Sequence, residues 1–404
     1  MSLLFPSAFG NVITMHPRKL AILPLMLLAT TASGREYAFE YGVQAGYEYN
    51  DNVGLTPEEE VDISGGQIDV PVNLSMRTER LEAALAGSLG YARFNEDDYD
   101  SDYQFLEARS KYQLENGEIE GAASYREETT RESEFLDTGR VGSEASEVDT
   151  IAFEGAGLHM FTAKNGITGG VAYEDVDYES DFYQDYEFLS GYLGWVNRWD
   201  ERLSFRLQGY GNQFDNEGDI EIESTSWGAE TGFDYQVSER LDMQLLVGWV
   251  WIDTEYSTQL PVTPEDDESD GLQLEGALTY TRERYELEAR VTSGPSPSGN
   301  GYLLYADQLD LAYRYGLTEH HDCSLGMTVG QSESVDDRLS TSRDYAQISA
   351  GLAYEFTSEW SLQGIYEYSY QDQTFALGAE PGDADSNAVY ITVIYKPEKT
   401  IWSR

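Results

Sequence analysis

Alternating apolar and polar positions recur along most of the chain after its first 34 residues. In the segment 68–76 (IDVPVNLSM), isoleucine, valine, leucine and methionine occupy every second position. The segments 203–209, 241–251 and 272–280 repeat this pattern. A period of two over about ten residues is typical of a β-strand with one apolar and one polar face.

Two kinds of polar connection separate these segments. Eight are short turns, and Asn116-Gly117 and Asn165-Gly166 have typical hairpin chemistry. Nine are longer and mostly acidic: 50–65, 95–102, 132–147, 179–185, 214–221, 257–270, 293–301, 331–342 and 377–386. These connections predict eighteen strands, with sixteen as the alternative, and an even count leaves both chain ends on one side.

The alternation fits a soluble β-sandwich or a membrane barrel. Long, evenly spaced strands, unequal connections at their two ends and aromatic residues near strand ends (366–370, 313–315 and 248–251) favour the barrel. We therefore predict an all-β, transmembrane, antiparallel up-and-down β-barrel with short periplasmic turns and long acidic extracellular loops.

The first 34 residues have the pattern of a secretory signal peptide. Arg18 and Lys19 precede the apolar run 20–29, and small residues suited to cleavage follow. Met15 is an alternative start. The prediction is a signal peptide at 1–34, a single barrel domain at 35–404, and export to the outer membrane of a Gram-negative bacterium.

The strong negative charge narrows the set of partners. The chain has 74 acidic and 25 basic residues and a formal net charge of -49, which argues against nucleic acid as a partner. The expected partners are outer-membrane lipid and lipopolysaccharide. The acidic stretches 96–102 and 264–271 suggest collective binding of divalent cations, with solvated loops as the alternative. No dedicated metal site and no cofactor are predicted.

The stretch YNDNV (49–53) resembles the start of the outer-membrane β-barrel porins encoded near exopolysaccharide and exosortase loci. The resemblance extends to the layout of signal, hairpin array and final strand, and it implies a barrel with a role in polysaccharide secretion. The chain departs from the usual barrel ending, because NAVYITVIY (387–395) is followed by KPEKTIWSR rather than by a closing aromatic residue.

No arrangement of residues predicts catalysis, so the chain is not expected to be an enzyme. Of the four histidines, His16 lies in the predicted signal and His159 has no serine within three residues. His320 and His321 occupy a short turn, where solvated side chains are the expectation. Cys323 is the single cysteine, so no internal disulfide is expected.

Charged residues on the polar faces are the candidate functional residues. If the apolar faces meet lipid, these residues point into the lumen, because charge at mid-membrane is costly. The predicted pore-lining residues are Glu107, Arg109, Lys111, Arg126, Arg206, Arg290, Asp310, Arg314 and Glu367. Basic residues facing acidic ones across a wet, polar lumen would create a transverse field; local pairing that fills the interior is the alternative.

Three functional hypotheses follow. The first is a channel that passes small hydrophilic solutes or takes part in polysaccharide export. The second is a structural or adhesion protein whose barrel displays acidic loops without an open pore. The third, a surface enzyme, lacks support from the histidines. Inward folding of the loop 132–147 would favour the second hypothesis.

Overall fold

The computed structural model describes residues 35–57, 60–137, 145–180, 182–216, 218, 220–258, 267–335, 341–374 and 382–403. The predicted signal peptide lies outside these residues. The strands are β1 (Glu36–Tyr41), β2 (Val43–Asn50), β3 (Ile63–Arg77), β4 (Leu81–Phe94), β5 (Ser101–Leu114), β6 (Gly117–Thr129), β7 (Glu147–Met160), β8 (Asn165–Tyr178), β9 (Tyr186–Arg198), β10 (Leu203–Asn216), β11 (Ile220–Ser238), β12 (Leu241–Thr258), β13 (Asp267–Thr281), β14 (Tyr285–Ser296), β15 (Leu304–Gly316), β16 (His321–Ser334), β17 (Ser342–Glu355), β18 (Trp360–Thr374), β19 (Gly382–Tyr395) and β20 (Thr400–Ser403). A helix, α1 (Thr130–Asp137), follows β6, and a 3₁₀ turn (Asp97–Tyr99) precedes β5.

These strands form one closed antiparallel sheet. From β3 to β19, every strand pairs with the next one in the chain. β1 and β2 are two segments of the first wall strand, which both pair with β3, and β19 and β20 are two segments of the last. Counted this way, the wall has eighteen strands, which confirms the predicted antiparallel barrel and its strand number.

The barrel closes between the two ends of the chain. β2 pairs with β19 from Asn50 opposite Ala388 to Val43 opposite Tyr395, and β1 pairs with β20. Trp402 of β20 stacks on Tyr37 of β1, with ring centroids 5.7 Å apart. The last wall strand therefore resumes after a short interruption, and its second segment includes Trp402 within the stretch KPEKTIWSR.

All short turns lie at one end of the barrel and all long connections at the other, as the alternation of strands requires. Several predicted loops are shorter than expected, because the strands extend into them. Residues 214–221 are largely strand, because β10 runs to Asn216 and β11 starts at Ile220. The two ends of the predicted loop 257–270 likewise belong to β12 and β13, and its centre lies outside the described residues.

The outward face carries an apolar belt. Leu193 is 69% exposed, Val171 55% and Leu207 54%, although all three lie within the central part of their strands. At the short-turn end, aromatic rings contact one another within a strand end or across neighbouring strands: Tyr280, Tyr285, Tyr313, Tyr315, Tyr354, Phe356, Trp360 and Tyr395. An apolar belt bounded by aromatic residues is the outer surface that a membrane barrel presents to lipid.

Beyond the belt, towards the long loops, the outward positions become acidic. On β12, Trp249 and Trp251 are followed at the same face by Asp253 and Glu255. The pattern shows that the strands continue past the apolar belt into water. Among the described residues, no helix has the length and apolar character needed to cross a bilayer.

The apolar belt predicts that a charge is less well tolerated on the outward face of β9 than on its inward face. Leu193→Arg, which would place a charge in the belt, should lower the free energy of unfolding in lipid vesicles by about 2–4 kcal/mol. Ser190→Arg is the matched control, because Ser190 lines an open recess inside the barrel, where the polar inner face should tolerate the charge. Equal losses, measured by denaturant titration, would contradict the assignment of the faces.

Candidate functional site: the lumen and its inserted segments

The nine predicted pore-lining residues all lie on the inward face of the wall. Register shows this directly: Glu107 stands opposite Ser124, and Arg109 stands opposite Ala122. The same alternation, followed strand by strand, places Arg126, Arg206, Arg290, Asp310, Arg314 and Glu367 inside with Lys111. Their position inside the barrel is clear, whereas their role in conduction stays a prediction.

Most of the basic residues in this set are paired with a neighbouring carboxylate. Five of the six have such a partner: Arg109 with Glu107, Lys111 with Glu118 at 2.9 Å, Arg126 with Glu128 at 3.3 Å, Arg206 with Asp234, and Arg314 with Glu286 at 3.3 Å. Arg290 stands in register with Asp310. The partners belong to the same or the adjacent strand, so local pairing, the alternative to a simple transverse field, dominates at these positions.

The helix α1 is inserted into the lumen. Its Arg131 donates two hydrogen bonds to the carboxylate of Glu48 on β2, from Nη1 at 3.1 Å and from Nη2 at 3.2 Å. Glu48 is 1% exposed. Because α1 follows β6, and β2 is four wall strands away, this buried ion pair holds the helix against a distant part of the wall.

A second group of contacts, made by Phe135 near the C-terminal end of α1, holds the helix against β17. Phe135 is buried and packs edge-on against Tyr345, with ring centroids 6.1 Å apart. The guanidinium of the buried Arg343 lies 5.2 Å from the Phe135 ring and also donates a hydrogen bond to the Phe135 carbonyl oxygen. The helix therefore bridges two regions of the wall through side chains that the barrel interior encloses.

The loop after β2 also turns inward to meet α1. Leu55 is 1% exposed and forms one apolar cluster with Phe135, Tyr345 and Ala384. Its φ of 51° lies in the left-handed region, which costs a leucine roughly 1–2 kcal/mol. The Leu55 side chain is buried in this backbone conformation, so its apolar packing offsets the strain.

A third inserted segment, 297–303, also covers part of the lumen. Leu303 is 2% exposed and packs in a cluster that includes Phe214 and Val250 of the inner wall. Tyr302 donates a hydrogen bond to Thr341 Oγ1 at 2.9 Å, and burial raises the pKa of its hydroxyl. This segment is thus held by both apolar packing and hydrogen bonding.

The lumen consequently has two different halves. Near the long loops, the inserted segments and the inner wall form apolar clusters, so the expectation of a polar, wet lumen is wrong for this half. Towards the short turns, the interior is open and polar. The loop 132–147, singled out for possible inward folding, supplies most of α1, while residues 138–144 lie outside the description.

Two recesses in the open half differ in charge. One, of about 760 Å³, is lined by four acidic and four basic side chains. The other, of about 850 Å³, is called the acidic chamber here. It reaches the Arg131–Glu48 pair and is lined by seven acidic and two basic side chains: Glu48, Asp69, Glu128, Glu286, Glu288, Asp310, Glu367, Arg131 and Arg314. The chamber therefore has a net charge of about five negative units and favours cations electrostatically.

The acidic stretches proposed for divalent cations give a mixed picture. In 96–102, Asp100 accepts a hydrogen bond from the Phe94 amide and pairs with Arg93 at 3.1 Å, so this carboxylate already has protein partners. The described part of 264–271 belongs to β13. Elsewhere, Glu127, Glu147 and Asp149 bring one carboxylate oxygen each within 4.8 Å of the others. Cation binding at the loops remains a prediction.

Comparisons with known proteins give only distant likenesses. No protein-family model matches the sequence, and a comparison with curated proteins finds no match. Among solved structures, the chain is similar to OccK2 (OpdF) of Pseudomonas aeruginosa, with 11% identity, a TM-score of 0.46 and coverage of 89% of this chain and 98% of that one. A BenF-like porin from Pseudomonas fluorescens gives 8%, 0.44, 89% and 99%, and the copper transporter OprC gives 10%, 0.43, 89% and 80%. No residue role is taken from these proteins.

Sequence reasoning did not identify the inserted residues. Leu55, Phe135 and Leu303 are large apolar side chains in mostly polar connections, and this contrast was the available signal. The distant partners Glu48 and Arg343 gave no local signal, because their contacts arise only when the sheet closes.

The Arg131–Glu48 pair yields a prediction about α1. Glu48→Gln leaves a buried guanidinium without its carboxylate, so the unfolding free energy should fall by about 3–5 kcal/mol. Amide protons of 130–137 should also exchange faster. Glu82→Gln breaks the exposed Arg77–Glu82 pair (3.1 Å) and should cost at most about 1 kcal/mol. Unchanged exchange in the Glu48 variant would show that Phe135 packing alone holds the helix.

Proposed function

We propose that the protein is an outer-membrane channel that passes small hydrophilic solutes, with a preference for cations. The observation that carries this proposal is the acidic, water-accessible chamber inside a closed barrel whose outer face is apolar. An eighteen-stranded barrel encloses enough space for an aqueous path if inserted segments do not fill it. The unequal ends of the barrel support an orientation with short turns in the periplasm and long loops outside.

The inserted segments support a narrow or gated path rather than a wide pore. Apolar packing at the long-loop end reduces the cross-section available to water, while the chamber on the other side stays hydrated. Small solutes fit this arrangement better than a polymer does. Polysaccharide export, which the YNDNV resemblance implies, would require α1 and the segment 297–303 to move aside, together with an export partner.

A second candidate function has one specific observation in its favour. The apolar clusters around Phe135 and Leu303 are packed like a protein core, which suits a barrel that serves as an anchor without an open pore. In that case the acidic outer ends of the strands and the long loops would form the functional surface. Conductance separates the two candidates.

The first experiment is single-channel recording of the refolded protein in a planar bilayer under a KCl gradient. We expect discrete steps and a reversal potential whose sign indicates preference for K⁺ over Cl⁻. Heat-modifiable gel mobility verifies folding of every sample. A folded protein without conductance would contradict the channel and support the anchoring function.

Charge variants test whether the chamber sets the selectivity. Glu288→Gln removes an exposed carboxylate from the chamber and should shift the reversal potential towards that of a non-selective channel. Glu255→Gln makes the same chemical change on the outward face beyond the belt and should leave the reversal potential unchanged. Identical shifts in both variants would indicate that overall charge, rather than the chamber, governs selectivity.

A further inference from the structure

Asp69 is a buried carboxylate whose second oxygen has no hydrogen-bond partner. It lies on the inward face of β3, in register with Gln44 on one side and Gly90 on the other. Its residue exposure is 3%. Ser88 Oγ donates a hydrogen bond to Oδ1, whereas Oδ2 is unsatisfied among the described residues.

No basic side chain compensates this carboxylate in the part of the chain that the structure describes. The arginine at the roof of the chamber, Arg131, is engaged with Glu48, and Arg314 is engaged with Glu286. A buried charge without a counterion is unfavourable, and a buried polar atom without a partner adds a further cost. The geometry therefore leaves one enclosed carboxylate oxygen, on a residue that lines the chamber, without a donor from the described part of the chain.

The surroundings of Asp69 indicate what kind of cation fits. Asp69 lines the acidic chamber together with the amides of Gln44 and Gln67, which offer carbonyl oxygens to a donor. An ammonium group carries three donors and no acceptor, so it suits a carboxylate oxygen that lacks a donor.

The size of the chamber argues for a molecule rather than a bare ion. At about 850 Å³ it is far larger than the shell of an ion, and it falls within the range of small-molecule sites. The other carboxylates stand on separate strands, with Glu288 on β14, Asp310 on β15 and Glu367 on β18. Charges spread in this way match a solute that carries two or more separated positive groups.

We propose that Asp69 anchors a binding site in the acidic chamber for small organic diamines and polyamines. One ammonium group binds at the Asp69 carboxylate, and a second is attracted by the carboxylates on the other strands. This assignment rests on the proposed channel function and specifies its solute class.

The test measures binding directly, so it does not depend on conductance. Isothermal titration calorimetry of the detergent-folded full chain uses 1,4-diaminobutane at low salt, with 1-aminobutane and MgCl₂ as comparison probes. We expect binding of the diamine that is tighter than that of the monoamine and that weakens with added salt. Asp69→Asn keeps the shape of the side chain and an acceptor for Ser88, and it should raise the diamine Kd at least about tenfold.

Glu154→Gln is the matched control, because it removes one inward carboxylate from the other recess. Its Kd for the diamine should stay within about twofold of the wild-type value. The proposal is overturned if the diamine does not bind, if both variants weaken binding equally, or if only MgCl₂ shows dependence on Asp69. Diamine binding by a folded protein that does not conduct would support the site and contradict the channel.

Discussion

The constraint on which this structure depends is that each wall strand must have hydrogen-bonded neighbours on both sides. In a bilayer there is no water to satisfy an exposed sheet edge, so a spanning sheet has to close on itself. Here closure depends on the contact between the first and last strands, which is continuous from Asn50 to Val43 and resumes at β1 and β20 after an interruption. Gly42 lies at that interruption, where an added Cβ would be 3.2 Å from the Tyr395 carbonyl oxygen. A glycine permits the close approach that brings the two strands together again.

Closure also explains how much of the fold was predictable. Once the strands pair with their neighbours, the period of two fixes which side chains point in and which point out. The sequence therefore predicted the barrel, the eighteen strands and the inward position of residues such as Arg206 and Asp310. It predicted loop bounds less well at 214–221, because the acidic residues of that stretch resemble a loop whereas they continue the strands outside the belt.

The inserted segments were harder to predict because their partners lie far away in the chain. Arg131 meets Glu48 across 83 positions, and Phe135 meets Arg343 across 208. Local periodicity contains no information about such pairs. Closure of the wall brings side chains from distant strands to the same height in the barrel. Only then can an apolar residue or a charged residue of a loop contact them. The candidate site was thus predictable as a polar inner face, but its division into a packed half and an open half was not.

The distribution of charge links these features to function. Lysine and arginine are scarce, and inside the barrel most of the predicted basic residues are bound by neighbouring acids. The remaining interior charge is therefore negative and concentrates in the chamber beneath α1.

A solute path through the barrel would pass the negative charge of this chamber on one side and the apolar packing around Phe135 on the other. In the proposed channel, the two would act on different properties of a solute: the chamber would discriminate by charge, and the packed half by size and by the free energy needed to displace α1. Because the Arg131–Glu48 pair borders the chamber and also holds the helix, a cation that accumulates there lies close to the carboxylate on which the position of α1 depends. In the channel that we propose, selectivity and opening would therefore be coupled through Glu48, by Coulomb interaction over a short distance.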